Sequence, residues 1–222
     1  MTAGTGPGRE RPGSAGRRQE EVAGPAGSRG PQPGSSGGVA LGEYAPEFTA
    51  PAAYGGHVSL ADFRGRGVLV VFVPFAFTPV CSREIEELTR AAPAWQERGV
   101  EVVVISCDAM PTLRVWAEQH RAGFEVLSDF WPHGHIARAY GAFSEHDGAA
   151  DRLSVLIDAH GVVRWTTRAA RGRPRPVSDY EAAVDALTEA APSPAAHQET
   201  SAHLESSGRR EPSATKRAHR WH

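Results

Sequence analysis

Apolar positions recur along the middle of the chain in two distinct periods. Gly67 to Phe75 is an almost unbroken apolar run rich in β-branched residues, the pattern of a central strand buried on both faces. Val100 to Ser106 repeats that pattern. Between them Ile85, Leu88, Ala92 and Trp95 recur at helical spacing and form one apolar stripe. Glu84, Glu86 and Glu87 load the first turns of that helix with favourable negative charge, and Gly99 suits its C-terminal stop. Pro93 falls inside the stripe, which predicts a kink. Strand, helix and strand in this order form a β-α-β unit with parallel strands and a right-handed crossover.

The flanking stretches extend the pattern. Val39 to Phe48 opens the domain, and His57 to Phe63 reads as a short strand and turn. Asp108 to Arg121 predicts a turn and a helix with Leu113, Val115, Trp116 and Ala117 as its apolar content. Phe124 to Leu127 is a short strand, Ser128 to Gly134 a loop, and His135 to Tyr140 a short helix. Leu153 to Ile157 and Val162 to Thr167 are strands joined by Asp158-Ala159-His160-Gly161, a hairpin turn whose glycine supplies a positive φ. Ser178 is placed to N-cap a last helix through Glu189, with Tyr180, Ala183, Val184 and Leu187 facing inward. The order predicts an α/β fold of thioredoxin type, a central mixed sheet with helices on both faces. No internal repeat is visible.

Composition narrows the domain. Of the 222 residues, 1–38 are dominated by Gly, Pro, Ser, Arg and Glu, and 191–222 read the same way. Such segments bury too little apolar surface to offset their ordering entropy and are expected to be disordered tails. The domain is therefore assigned to residues 39–190, a length that encloses a full core. The N-terminus lacks an apolar h-region and no run approaches a membrane span, which predicts a cytoplasmic protein with no membrane partner. A net charge of −2, with acids and arginines interspersed, leaves no electrostatic footprint for nucleic acid.

The candidate chemistry lies in cysteine. Cys81 and Cys107 are far apart and form no C-x-x-C pair, so they read as free thiols, and neither zinc nor another metal or cofactor is expected. Cys81 follows the strand and the loop Pro74-Phe75-Ala76-Phe77-Thr78 at the first turn of the helix. There the unpaired N–H groups and the helix dipole favour thiolate.

Pro74-x-x-x-Thr78-x-x-Cys81 resembles the active-site signature of the peroxiredoxin family. Ala45-Pro46-x-Phe48, Val58-Ser59-Leu60-x-Asp62-Phe63-Arg64-Gly65 and the late Arg152 are similar to further family motifs. Leu127 to Gly134 and Ala139-Tyr140-Gly141 resemble the one-cysteine, alkyl-hydroperoxidase-E-like branch of actinobacteria. The resemblance covers residues 39–190. It implies a thioredoxin fold and a thiol-dependent peroxidase acting on hydrogen peroxide and organic hydroperoxides through a cysteine sulfenic acid. It also implies an external thiol reductant, mycothiol with mycoredoxin or thioredoxin, and a possible homodimer.

Peroxide reduction needs a thiolate nucleophile and donors for the departing oxygen. Cys81 is the nucleophile. Thr78 is positioned to hydrogen-bond thiolate or peroxide, or to serve only as an N-cap or turn residue. Arg152 is a candidate fixed cation for both sulfur and peroxide, its alternative being a surface ion pair with Asp151 or Glu145. Pro74 shapes the loop and shields the sulfur. Glu84 is either a first-turn dipole residue or, as the resemblance suggests, an orienter of the arginine.

Phe75, Phe77, Phe130, Trp131 and Phe143 are either core or an apolar entrance for alkyl hydroperoxides, with Phe77 and Trp131 the candidate pocket residues. Cys107, at the carboxyl end of its strand, is expected to be structural rather than resolving. A dithiol oxidoreductase of thioredoxin type would require a second cysteine where Thr78 stands. A non-catalytic redox sensor or interaction module docking through the tails is the reading from a different class.

Overall fold

The computed structural model describes residues 38–170 and 172–190; apart from Gly38, the two expected tails lie outside the described residues. The elements in chain order are β1 (Thr49–Pro51), β2 (His57–Ser59), a 3-10 turn (Leu60–Phe63), β3 (Gly67–Phe72), α1 (Pro79–Glu97), β4 (Val100–Ser106) and α2 (Met110–His120). They continue with β5 (Glu125–Ser128), α3 (His135–Ala139), β6 (Phe143–Ser144), β7 (Ala149–Ala150), β8 (Arg152–Ile157), β9 (Val163–Ala169) and α4 (Val177–Ala190).

The central sheet has the order β5-β4-β3-β8-β9. The apolar runs of β3 and β4 pair in parallel from Gly67 opposite Val100 to Phe72 opposite Ile105, and β5 continues the parallel half. β8 runs antiparallel to β3 and to β9. Gly161 closes the β8–β9 turn at φ +88°, and Gly99 follows α1 at φ +77°, the left-handed conformation that ends a helix without a Cβ penalty.

Because β3 is buried on both faces, its alternate residues feed two cores. Leu69, Val71 and Val73 pack beneath α1, α2 and α4, with Cys81, Trp95, Trp116 and Val184 in the same cluster. Val68, Val70 and Phe72 face Phe48, Phe63, Ile136 and Tyr140, under the N-terminal segment and the short α3. Helices thus cover both faces, unequally.

Several local expectations shift. β3 stops at Phe72 rather than Phe75, because Pro74 has no N–H to continue a ladder and the Phe72 carbonyl accepts from Arg175 at 2.9 Å. Pro93 lies inside α1, which runs unbroken from Pro79 to Glu97, and the stripe residues Leu88, Ala92 and Trp95 are each 2% exposed. Tertiary packing of that face outweighs the roughly 3 kcal/mol cost of an internal proline. Val115 points outward, 56% exposed, and Trp116 fills the core instead. Ser178 lies inside α4, which begins at Val177, so it is not the N-cap. Strands β1, β6 and β7 were not expected; two or three residues carry no readable period.

Candidate active site

The turn from β3 into α1 sets the site. Thr78 is the N-cap of α1, with extended φ and ψ, and Pro79 follows in the first turn, where its fixed φ fits and its missing N–H costs nothing. Cys81 sits in that same turn and is fully buried. The Thr78 hydroxyl does not cap the helix. It donates to the Phe75 carbonyl at 3.1 Å, which turns its lone pairs outward as acceptors.

The loop is held in an uncommon shape. Phe77 has φ +62°, the left-handed region that a bulky side chain enters at a cost of order 1–3 kcal/mol. Asp108 secures the loop from the end of β4: its Oδ2 accepts from the Ala76 N–H at 2.7 Å and from the Ser106 hydroxyl at 2.7 Å. Ser128 in turn donates to the Asp108 carbonyl at 2.7 Å. Asp108 is thus a positioning residue for the loop, and its sequence position, just past a buried strand, offered only a turn-residue signal.

Arg152, the first residue of β8, enters from the neighbouring strand. Its Nη2 stands 3.1 Å from Cys81 Sγ, and its Nε donates to Glu84 Oε2 at 3.3 Å. It is 7% exposed. The two surface partners weighed for it are engaged elsewhere, Asp151 with Arg168 and Glu145 with Arg138. Glu84, three residues after Cys81, lies on the same helix face. It is buried and holds two arginines at once.

The second of these is Arg175, which the sequence reading missed. Its backbone N–H and Nε donate to Glu84 Oε1 at 2.9 and 3.0 Å, and its Nη2 to Oε2 at 3.1 Å. Its Nη1 donates to the carbonyls of Phe72 and Leu153 and to the Ser154 hydroxyl. One guanidinium therefore bridges α1, β3 and β8 at the point where β3 and β8 stop pairing. In sequence it is one arginine of a Pro/Arg-rich stretch, and nothing local distinguishes it from Arg173.

A cleft of about 330 Å³ opens beside these residues, lined by Pro74, Phe75, Thr78 and Val80 on the helix side and by Ala150, Arg152 and Ala169 across from them. Phe77 and Trp131 do not line it. Trp131 is 82% exposed, on the loop after β5, and Phe77 is 48% exposed on the loop before α1. Phe75 is the aromatic of this cleft.

Cys107 belongs to the other face of the sheet. It packs with Val103 and Ile105, whereas Cys81 packs with the α1 core, so the sheet stands between the two thiols. Burial, with the Asp129 carboxylate adding to it, pushes the Cys107 thiol up to about 12. It remains a neutral thiol at ordinary pH.

The sequence model of the AhpC/TSA family matches residues 41–166. Alkyl hydroperoxide reductase E of Mycobacterium tuberculosis is 36% identical over 149 residues, 67% of this chain and 97% of that protein. A solved structure of the reduced 2-Cys peroxiredoxin of Plasmodium vivax superposes with a TM-score of 0.62 at 30% identity, covering 67% of this chain and 82% of that one. AhpC of Mycobacterium tuberculosis gives a TM-score of 0.63 at 22% identity over 68% of this chain and 94% of that one, a likeness of fold.

Proposed function

The chain belongs to the AhpC/TSA family of peroxiredoxins, and on that premise we propose that Cys81 is its peroxide-reducing thiol, assisted by Arg152, Thr78, Pro74 and Glu84. The protein is a thiol-dependent peroxidase. The observation that carries the assignment of roles is the 3.1 Å contact between Arg152 Nη2 and Cys81 Sγ.

Charge supports the same reading. Arg152 and Arg175 bring two positive charges into a buried site and Glu84 brings one negative charge. With a neutral thiol that set keeps an unbalanced cation away from water; with Cys81 as thiolate it is balanced.

The Cys81 thiolate attacks the terminal oxygen of a hydroperoxide and the O–O bond breaks. Its electron pair leaves on the other oxygen, which takes a proton from solvent to become water or an alcohol, and Cys81 becomes a sulfenic acid. Negative charge grows on the departing oxygen, where the Arg152 guanidinium and the uncapped first-turn N–H groups of α1 are donors. The Thr78 oxygen accepts the hydroperoxide O–H and aligns it. Pro74 closes the loop without presenting a competing N–H.

An external thiol then attacks the sulfenic sulfur, releasing water and leaving a mixed disulfide. A second thiol exchanges with it and restores Cys81. We assign that role to mycothiol with mycoredoxin, or to thioredoxin, in a cytoplasmic protein whose domain is residues 39–190. Among the described residues no helix is long and apolar enough to cross a membrane. A homodimer fits the exposed Phe75, Phe77, Met110, Phe130 and Trp131 on loops and a helix start near the carboxyl ends of the parallel strands.

Rapid mixing of reduced protein with hydrogen peroxide and with an alkyl hydroperoxide tests the reading, following tryptophan fluorescence and trapping sulfenic acid. The expected result is peroxide consumption far faster than by free cysteine and complete loss in Cys81→Ser. Activity retained in Cys81→Ser would reject it.

A further inference from the structure

We propose that Ala169 sets the size of the organic group that this enzyme accepts on a hydroperoxide; the inference rests on the peroxidase reading and concerns selectivity within it. Ala169 ends β9 directly opposite Arg152 in the antiparallel ladder of β8 and β9. Residues paired in this way project on the same sheet face with their Cβ atoms about 4.5–5.5 Å apart. The face in question is the one from which Arg152 reaches Cys81, and Ala169 lines the same cleft as Arg152. Its methyl group therefore lies beside the guanidinium, on the side from which a peroxide approaches.

Facing it are Pro74, Phe75, Pro79 and Val80, carried by the loop and the first turn of α1. Thr78 and Arg152 both line this cleft, so a hydroperoxide held between them toward the buried Cys81 leaves its carbon substituent in the space between these walls. The helix-side wall is fixed by the Asp108 contact to Ala76 and by Pro74 and Pro79. The β9 wall is formed by the end of a strand, where the side chain at 169, with Gly172 just beyond it, sets how far the wall advances. At about 330 Å³ the cleft is at the small end of ligand sites, which run from about 300 to 1,000 Å³, so an added ring or branched chain there removes much of the room.

Hydrogen peroxide has no substituent to place in that space. Enlarging residue 169 therefore separates the two substrate types. The test compares the second-order rate constants for hydrogen peroxide and cumene hydroperoxide in wild type, Ala169→Leu and Ala169→Phe, each checked for a wild-type melting profile. The expected result is a change in selectivity: the ratio of the cumene hydroperoxide to the hydrogen peroxide rate constant falls by about tenfold or more in Ala169→Phe and by less in Ala169→Leu. The hydrogen peroxide arm reports whether Arg152 is still in place.

Parallel loss with both peroxides, or no change with either in the two folded variants, overturns the proposal while leaving the peroxidase reading standing. If wild type consumes neither peroxide, the peroxidase reading itself falls and the proposal with it.

Discussion

Arg152 Nη2 lies 3.1 Å from Cys81 Sγ although the two residues are 71 positions apart in the chain. The antiparallel return of β8 beside β3 makes this possible, since the start of β8 lies at the same sheet end as the loop that leaves β3. In the proposed mechanism a guanidinium placed there assists the sulfur and donates to the departing oxygen. Arg152→Ala is expected to slow the peroxide step by about 10²-fold or more, the scale of losing one transition-state donor. Arg152→Lys restores the charge but not the two-pronged geometry and should recover only part of the rate. Stopped-flow fluorescence with hydrogen peroxide measures both.

Arg175 and Glu84 are coupled to this contact through a shared carboxylate. Removing one member of a buried ion pair leaves the other uncompensated and costs about 3–5 kcal/mol. Arg175→Ala and Glu84→Gln should each lower the urea midpoint substantially and slow peroxide reduction. Arg175→Ala should be the more damaging to stability, because it also abandons the Phe72 and Leu153 carbonyls. Equilibrium denaturation and peroxide rates on the same samples separate the two effects.

Asp108 is expected to matter more for rate than its distance from the sulfur suggests. Asp108→Ala releases the Ala76 N–H and lets Phe77 leave its left-handed conformation, so Thr78 loses its set position. The peroxide rate constant should fall by about tenfold or more at the loss of a charged hydrogen bond. Asp108→Asn, which keeps an acceptor oxygen, should retain more of it. A rate equal to wild type in Asp108→Ala would remove the loop anchor from the account.

Cys107 should behave as a buried thiol throughout the catalytic cycle. After one equivalent of peroxide, non-reducing mass analysis is expected to show no intramolecular disulfide between Cys81 and Cys107. Its titration also has a pH consequence. The folded thiol is pushed up from 9.0 to about 12 by burial and by Asp129, so between those values the unfolded chain gives up a proton that the native protein keeps. Stability from this group is therefore full below about pH 9 and lost as pH rises toward 12. Urea midpoints measured from pH 8 to 10.5 should fall more steeply for wild type than for Cys107→Ala.

Much of this protein is legible along the chain because its signals are local. The β-branched runs of β3 and β4 and the stripe of α1 each declare an element and a buried face, since side-chain period follows backbone geometry. Cys81 is legible for the same reason, as a cysteine in the first turn of a helix, whereas Thr78 and Pro74 were singled out by the resemblance of their loop to a family signature. Arg152 and Glu84 were found through the likeness to a family pattern, and their direct contact is a tertiary fact. Arg175 and Asp108 could not be singled out. Each acts through hydrogen bonds to residues 91 and 32 positions away, respectively, and such pairings exist only once β8 returns beside β3 and β4 ends beside the loop. The separation of the two cysteines was decided the same way. Cys107, one residue past the end of β4, packs in the core on the face opposite α1, whereas Cys81 packs in the core beneath α1. A chain specifies which residues repeat and how they alternate; which of its isolated polar residues meet is settled by the packing of strands that are distant in sequence.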